Sequence, residues 1–97
     1  MQEKRKFFRI NNSGQFQARF DNHALDIFNI SASSVAIRPK VYLPMTGTLE
    51  LQIHYVLIKV NYHLLRMSNE DMILVFKDDE QVESLLSLLK WLKYQPH

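Results

Sequence analysis

The chain has 97 residues, of which 46% are apolar and 23% charged, with a net charge of +2 and no cysteine. That describes one small domain with a single core. It excludes a disordered chain, a disulfide scaffold, a thiolate nucleophile and a zinc site built on cysteine.

The positive charge is local. Residues 1–20 carry five cations against one acid, while the remaining chain carries seven cations against nine acids. A general nucleic-acid binder has a broader basic face, so a nucleic-acid polymer is not the expected partner. Lys4, Arg5, Lys6 and Arg9 stand close together, with Phe7 and Phe8 among them. Arg9 follows Phe8 at once, so this basic start leads into no apolar run of signal-peptide length. The expected location is the cytoplasm, which the lack of cysteine fits. The longest apolar stretches, such as residues 72–76, are strand-sized, and no membrane insertion is expected. Nothing apolar ties the chain down before Phe7, so residues 1–10 read as a mobile basic arm.

Asn11, Asn12, Ser13 and Gly14 form a cluster of turn residues. Residues 15–20 then alternate, with Phe16, Ala18 and Phe20 on one face and Gln15, Gln17 and Arg19 on the other. A turn follows at residues 21–23. Residues 24–31 resume as a strand, with Asn29 and Ser31 on one side and Phe28 and Ile30 on the other. Small residues break this strand at 32–34, and residues 35–37 continue as another before Pro39.

Pro44 and Gly47 mark the next loop. Residues 48–55 alternate again, with Leu49, Leu51, Ile53 and Tyr55 expected inside. Residues 58–64 repeat the pattern through Ile58, Val60, Tyr62 and Leu64. The turn between these strands falls within residues 54–57. A polar loop at 67–71 leads into the apolar strand 72–77.

The pattern changes at Asp78. Asp78 with Gln81 three positions later has the form of a capping box, and Asp79 and Glu80 suit the start of a helix. Val82, Leu85, Leu86, Leu89 and Leu92 then recur at helical spacing, with Lys90 and Lys93 near the end. This predicts one helix over 79–94, its apolar stripe covering an open end or edge of the sheet. Trp91 belongs either to the core or to an interaction face. The expected architecture is mostly β, a small antiparallel barrel over 14–77 closed by the helix, in a single domain spanning 1–97. His23, His54 and His63 lack metal-ligand spacing, and no catalytic constellation stands out, so neither a metal, a cofactor nor an enzyme is expected.

These residues resemble the PilZ domain, a bacterial receptor for the second messenger cyclic di-GMP. Its first motif is two arginines separated by three residues and preceded by a basic residue; Arg5 and Arg9 match it, with Lys4 before them. Its second motif is Asp or Asn, any residue, Ser, any two residues, Gly. Asn29 and Ser31 match, and Ser34 stands where the family has Gly. The resemblance covers essentially the whole chain. It implies a six-stranded antiparallel barrel with a C-terminal helix and a cyclic di-GMP site made by Lys4, Arg5, Arg9, Asn29, Ser31 and Ser34. It also implies an arm ordered by the ligand, and an effect exerted through a protein partner. The alternative is a PilZ-like protein-interaction module that has lost the nucleotide.

The residue types suit that ligand. Arginine can pair with a phosphodiester or with guanine O6 and N7, and can stack on a base. An amide and a hydroxyl on one strand face suit the mixed edge of guanine. A Ser in place of Gly would cost about 1 kcal/mol if its backbone were left-handed, roughly tenfold in affinity.

Overall fold

The computed structural model of the chain describes residues 8–38 and 42–94. Most of it is one antiparallel sheet followed by one helix. The strands are β1 (Ile10–Asn11), β2 (Phe16–Phe20), β3 (His23–Leu25), β4 (Ile27–Ile30), β5 (Ser34–Ile37), β6 (Thr46–Ile53), β7 (Val56–Met67) and β8 (Met72–Phe76), and the helix α1 runs Asp79–Lys93. Their order across the sheet is β1-β4-β5-β8-β7-β6-β2-β3.

The eight strand segments replace the six expected. One extra strand is β1, which takes the last residue of the stretch read as arm and the first of the turn cluster. The other arises because the strand expected over 24–31 divides at Asp26. Before Asp26 the chain pairs with β2, and after it with β5 and β1. Asp26 alone thus links β3, at one end of the sheet, to β4, which lies next to the strand β1 at the other end, and the sheet is curled into a half-barrel. A bulge at Phe28 shifts the register, so Ile27 and Ile30 both point into the core. Phe28 therefore leaves the face it was expected to share with Ile30 and takes the Arg38 guanidinium over its ring at 4.6 Å.

The alternation of β2 and β6 survives intact. Phe16, Ala18, Leu49, Leu51 and Ile53 are buried, and Ala18 pairs with Leu51. Tyr55 is the exception, being 88% exposed rather than inward. Ile53 pairs with Val56, so His54 and Tyr55 form the turn themselves. His54 takes a left-handed backbone there (φ 61°), and this ends the alternation two residues early. Asp21 and Asn22 make a similar two-residue turn, both with positive φ, the pattern that matches the twist of a hairpin. Tyr62 is wholly buried, and its hydroxyl donates to the Pro44 carbonyl at 2.9 Å. Burial, and secondarily Tyr42, raises its pKa.

The helix packs through most of its expected stripe, with Leu88 at the core border in place of Leu86. Leu85 and Leu89 are fully buried in the same cluster as the inward strand residues, with Val82, Leu88 and Leu92 at its border. The capping box is only half formed. Asp78 accepts from the Glu80 amide at 3.1 Å, but Gln81 turns away and accepts from the Asn61 amide of β7 at 2.8 Å. Gln81 thus stitches the helix to the sheet instead of closing its own first turn. Asp78→Ala is expected to lower stability by about 1 kcal/mol, the usual worth of an N-cap, as read by urea unfolding. No helix among the described residues is long and apolar enough to cross a membrane.

Candidate functional site

The site follows from strand register. β1 pairs with β4 through Ile10 with Ile30 and Asn11 with Asn29. Continued by one residue, this antiparallel register sets Arg9 opposite Ser31. Alternation puts Asn29 on the same side as Ser31. Arg9 therefore meets the second motif because β1 exists, a pairing no local pattern announces.

Arg9 Nε donates to Asn29 Oδ1 at 2.8 Å, and Nη1 donates to Ser34 Oγ at 2.8 Å. A longer contact of 3.5 Å runs from Nη1 to Ser31 Oγ. All three acceptors are neutral. Among the described residues no carboxylate forms an ion pair with Arg9; the one salt bridge there joins Arg38 and Asp26. Partial burial pulls the guanidinium pKa below its ordinary value, yet arginine stays protonated at neutral pH. The cluster is therefore an oriented positive charge with no counter-ion among the described residues.

Ser31 has a different task from the one its position advertises. It is 1% exposed. Its Oγ accepts from the amides of Ser33 and Ser34, each at 3.2 Å, and its own amide donates to the Ser34 carbonyl at 2.8 Å. It builds the β4–β5 turn, as serine hydroxyls often do. Asn29 and Ser34 offer the acceptors that grip Arg9.

Ser34 opens β5 and is absent from the positive-φ residues of the described chain. The backbone cost anticipated for a serine here does not arise. Lys4 and Arg5 lie outside the described residues.

Phe8, Arg9 and Ile10, assigned to the arm, are held in place. Phe8 and Ile10 pack against the core, and Lys93 Nζ sits 4.3 Å above the Phe8 ring. Beside Arg9 a groove of about 360 Å³ is lined by Arg9, Ile10, Asn11, Gln15, Leu92 and Lys93. Two cations flank it. A wider hollow of about 560 Å³ involves Gly47, Tyr62, Lys77 and Asp78 but sets an acid beside its single cation, which suits an anion less well.

One organising residue was not singled out from sequence. Asn12 donates from Nδ2 to the carbonyls of Phe16 and Ile27. Its Oδ1 accepts from the amides of Gly14 and Phe16, and its own amide donates to the Phe28 carbonyl at 2.9 Å. It locks the turn after Arg9 onto the strand that carries Asn29. The sequence marks it as a turn former, but its far partners exist only after folding. Asn12→Ala leaves several partly buried groups unpaired. It is expected to cost about 2 kcal/mol and on the order of 10 °C in melting temperature, measurable by thermal denaturation.

Comparison with known proteins agrees with this geometry. A family model described as PilZ domain-like matches residues 9–96. The chain is similar to an uncharacterized protein of Legionella, with 30% identity and a TM-score of 0.85 over 89% of this chain and 94% of that one. It also resembles in fold the PilZ domain of CeSA from a cellulose-synthesizing bacterium, at 12% identity and a TM-score of 0.59, covering 90% and 99% of the two chains. The Bacillus subtilis inhibitor of motility MotI/DgrA is similar at 18% identity and a TM-score of 0.60; 96% of this chain matches 53% of that one, about half its length. No curated protein matches by sequence. A match over nearly the whole chain, on a sheet that carries the Arg9, Asn29 and Ser31 constellation, makes this protein a member of the PilZ domain-like family.

Proposed function

We propose that the chain is a cyclic di-GMP receptor that acts as an adaptor, binding the nucleotide beside Arg9 and signalling through a partner protein in the cytoplasm. PilZ domains are binding and adaptor modules rather than enzymes, and the family comprises cyclic di-GMP receptors and adaptors. The observation that carries the reading is the Arg9 guanidinium, gripped by Asn29 and Ser34 with no acid among the described residues to neutralise it. A charged fork held in this way suits a phosphodiester or the Hoogsteen edge of guanine. Lys4 and Arg5, a short reach along the same chain, would add cations over the ligand and order residues 1–7 around it. That ordering is the change a partner would read, limited by the ligand's differential affinity for the two arrangements.

The second reading, an interaction module without a nucleotide, is favoured by one observation. Tyr55 and Trp91 are 88% and 50% exposed, and both rings lie against His54, at 4.5 and 5.9 Å. An exposed aromatic group of this kind marks an interaction surface.

Calorimetric titration with cyclic di-GMP at near-physiological salt separates the two. The receptor reading predicts saturable micromolar or tighter binding. No heat and no shift in melting temperature would leave the interaction module.

A further inference from the structure

We infer that Ser34 is a positioning residue, whose hydroxyl holds the Arg9 side chain ready for an anion before any ligand arrives. This rests on the nucleotide reading and deepens it. The family pattern has glycine at this position, so the hydroxyl is a feature of this chain.

Three observations carry the inference. The first is that the Ser34 oxygen is itself fixed. Ser34 is only 9% exposed, its amide donates to Ser31 Oγ at 3.2 Å, and its carbonyl accepts from the Ser31 amide at 2.8 Å. Its register in β5 is set by pairing with Val75 of β8. Its backbone is strand-like and not left-handed, so nothing in the fold opposes a side chain there.

The second is that Ser34 and Asn29 grip different nitrogens. Asn29 accepts from Nε and Ser34 from Nη1, both at 2.8 Å. One bond alone leaves the guanidinium free to swing; two on separate nitrogens define its plane. A glycine at 34 would leave Asn29 as the only short contact. Arginine is among the side chains with most rotamer freedom to lose on ordering, and freedom lost before binding is not charged against the ligand.

The third is that the grip leaves the charge and the outer donors unspent. Both acceptors are neutral, and Nη2 has no partner among the described residues. A guanidinium carries five N–H donors, so the side chain is steadied while its paired-donor capacity remains for a phosphate or a base.

The test compares wild type with Ser34→Ala and Ser34→Gly by two independent readouts. Cyclic di-GMP affinity, measured calorimetrically, is expected to weaken about tenfold in both variants, with melting temperatures close to wild type. In the ligand-free proteins, solvent exchange of the Arg9 Nε–H, followed by NMR, is expected to accelerate by about an order of magnitude once the second anchor is gone. Equal or tighter nucleotide binding in the variants would overturn the inference, since Ser34 would then compete with the ligand for Arg9. Unchanged Nε–H exchange would overturn it as well. If wild type binds no cyclic di-GMP, the nucleotide reading fails, and the exchange comparison alone decides whether Ser34 holds Arg9.

Discussion

Arg9→Ala is expected to weaken cyclic di-GMP binding at least about 100-fold while leaving the fold in place. The estimate comes from the bonds that a guanidinium makes to an anion. Hydrogen bonds involving a charged group are worth about 1.5–3 kcal/mol each, and a paired contact supplies two of them. Every 1.4 kcal/mol is about tenfold, so losing the pair removes roughly two decades or more. The fold has little reason to suffer. Arg9 is an exposed residue whose described bonds go to three neutral side chains, and it lies outside the buried cluster. Calorimetric titration together with a thermal melt checks both halves. A variant that binds nearly as well as wild type would remove Arg9 from the site.

Leu89→Ala is expected to have the largest effect on stability. Leu89 is fully buried and lies in the same cluster as the strand residues. Removing such a side chain costs about 2–5 kcal/mol, through lost transfer energy and the cavity left behind. A domain of this size has roughly 5–15 kcal/mol in total, so a large part of the stability would go. The effect also reaches the site. Leu92 and Lys93, on the next turn, line the groove beside Arg9, and Lys93 covers the Phe8 ring. A loosened helix end therefore predicts weaker nucleotide binding as well as a lower urea midpoint. Leu86, only half-buried, is expected to cost less when cut to alanine. A Leu89→Ala midpoint equal to that of wild type would mean that the helix is not what closes the core.

Much of the fold was legible because it rests on local periodicity. The alternation in residues 15–20 and 48–53 and the leucine spacing after Asp78 each describe one face of one element, and these faces pack on the core as read except that Leu88 stands at its border in place of Leu86. Two of the departures depend on a partner distant in sequence, and the third on a local turn. The split at Asp26 reflects two different neighbouring strands. Gln81 looked like the second half of a capping box but found the Asn61 amide closer to its need. Tyr55 continued a pattern on paper that the His54 turn had already ended.

The site was legible in a similar proportion. Arg9, Asn29 and Ser31 were visible through motif spacing, and the β1–β4 register brings them together. What spacing could not reveal is the division of labour. Ser31 spends its hydroxyl on a turn, whereas Ser34, the apparent defect in the motif, supplies a short bond to Arg9. The Ser34 backbone is ordinary, and its side chain is what bears on Arg9.

The central claim is that cyclic di-GMP is held by Arg9 above the Asn29–Ser34 turn. An NMR titration of the ¹⁵N-labelled protein with cyclic di-GMP, following backbone amides and the Arg9 Nε–H together, tests it most directly. The account predicts saturable shifts concentrated at Arg9, Asn29, Ser33 and Ser34, with Lys93 moving at the far wall of the groove. Saturable shifts centred elsewhere, or a spectrum that ligand in large excess leaves unchanged, would contradict it.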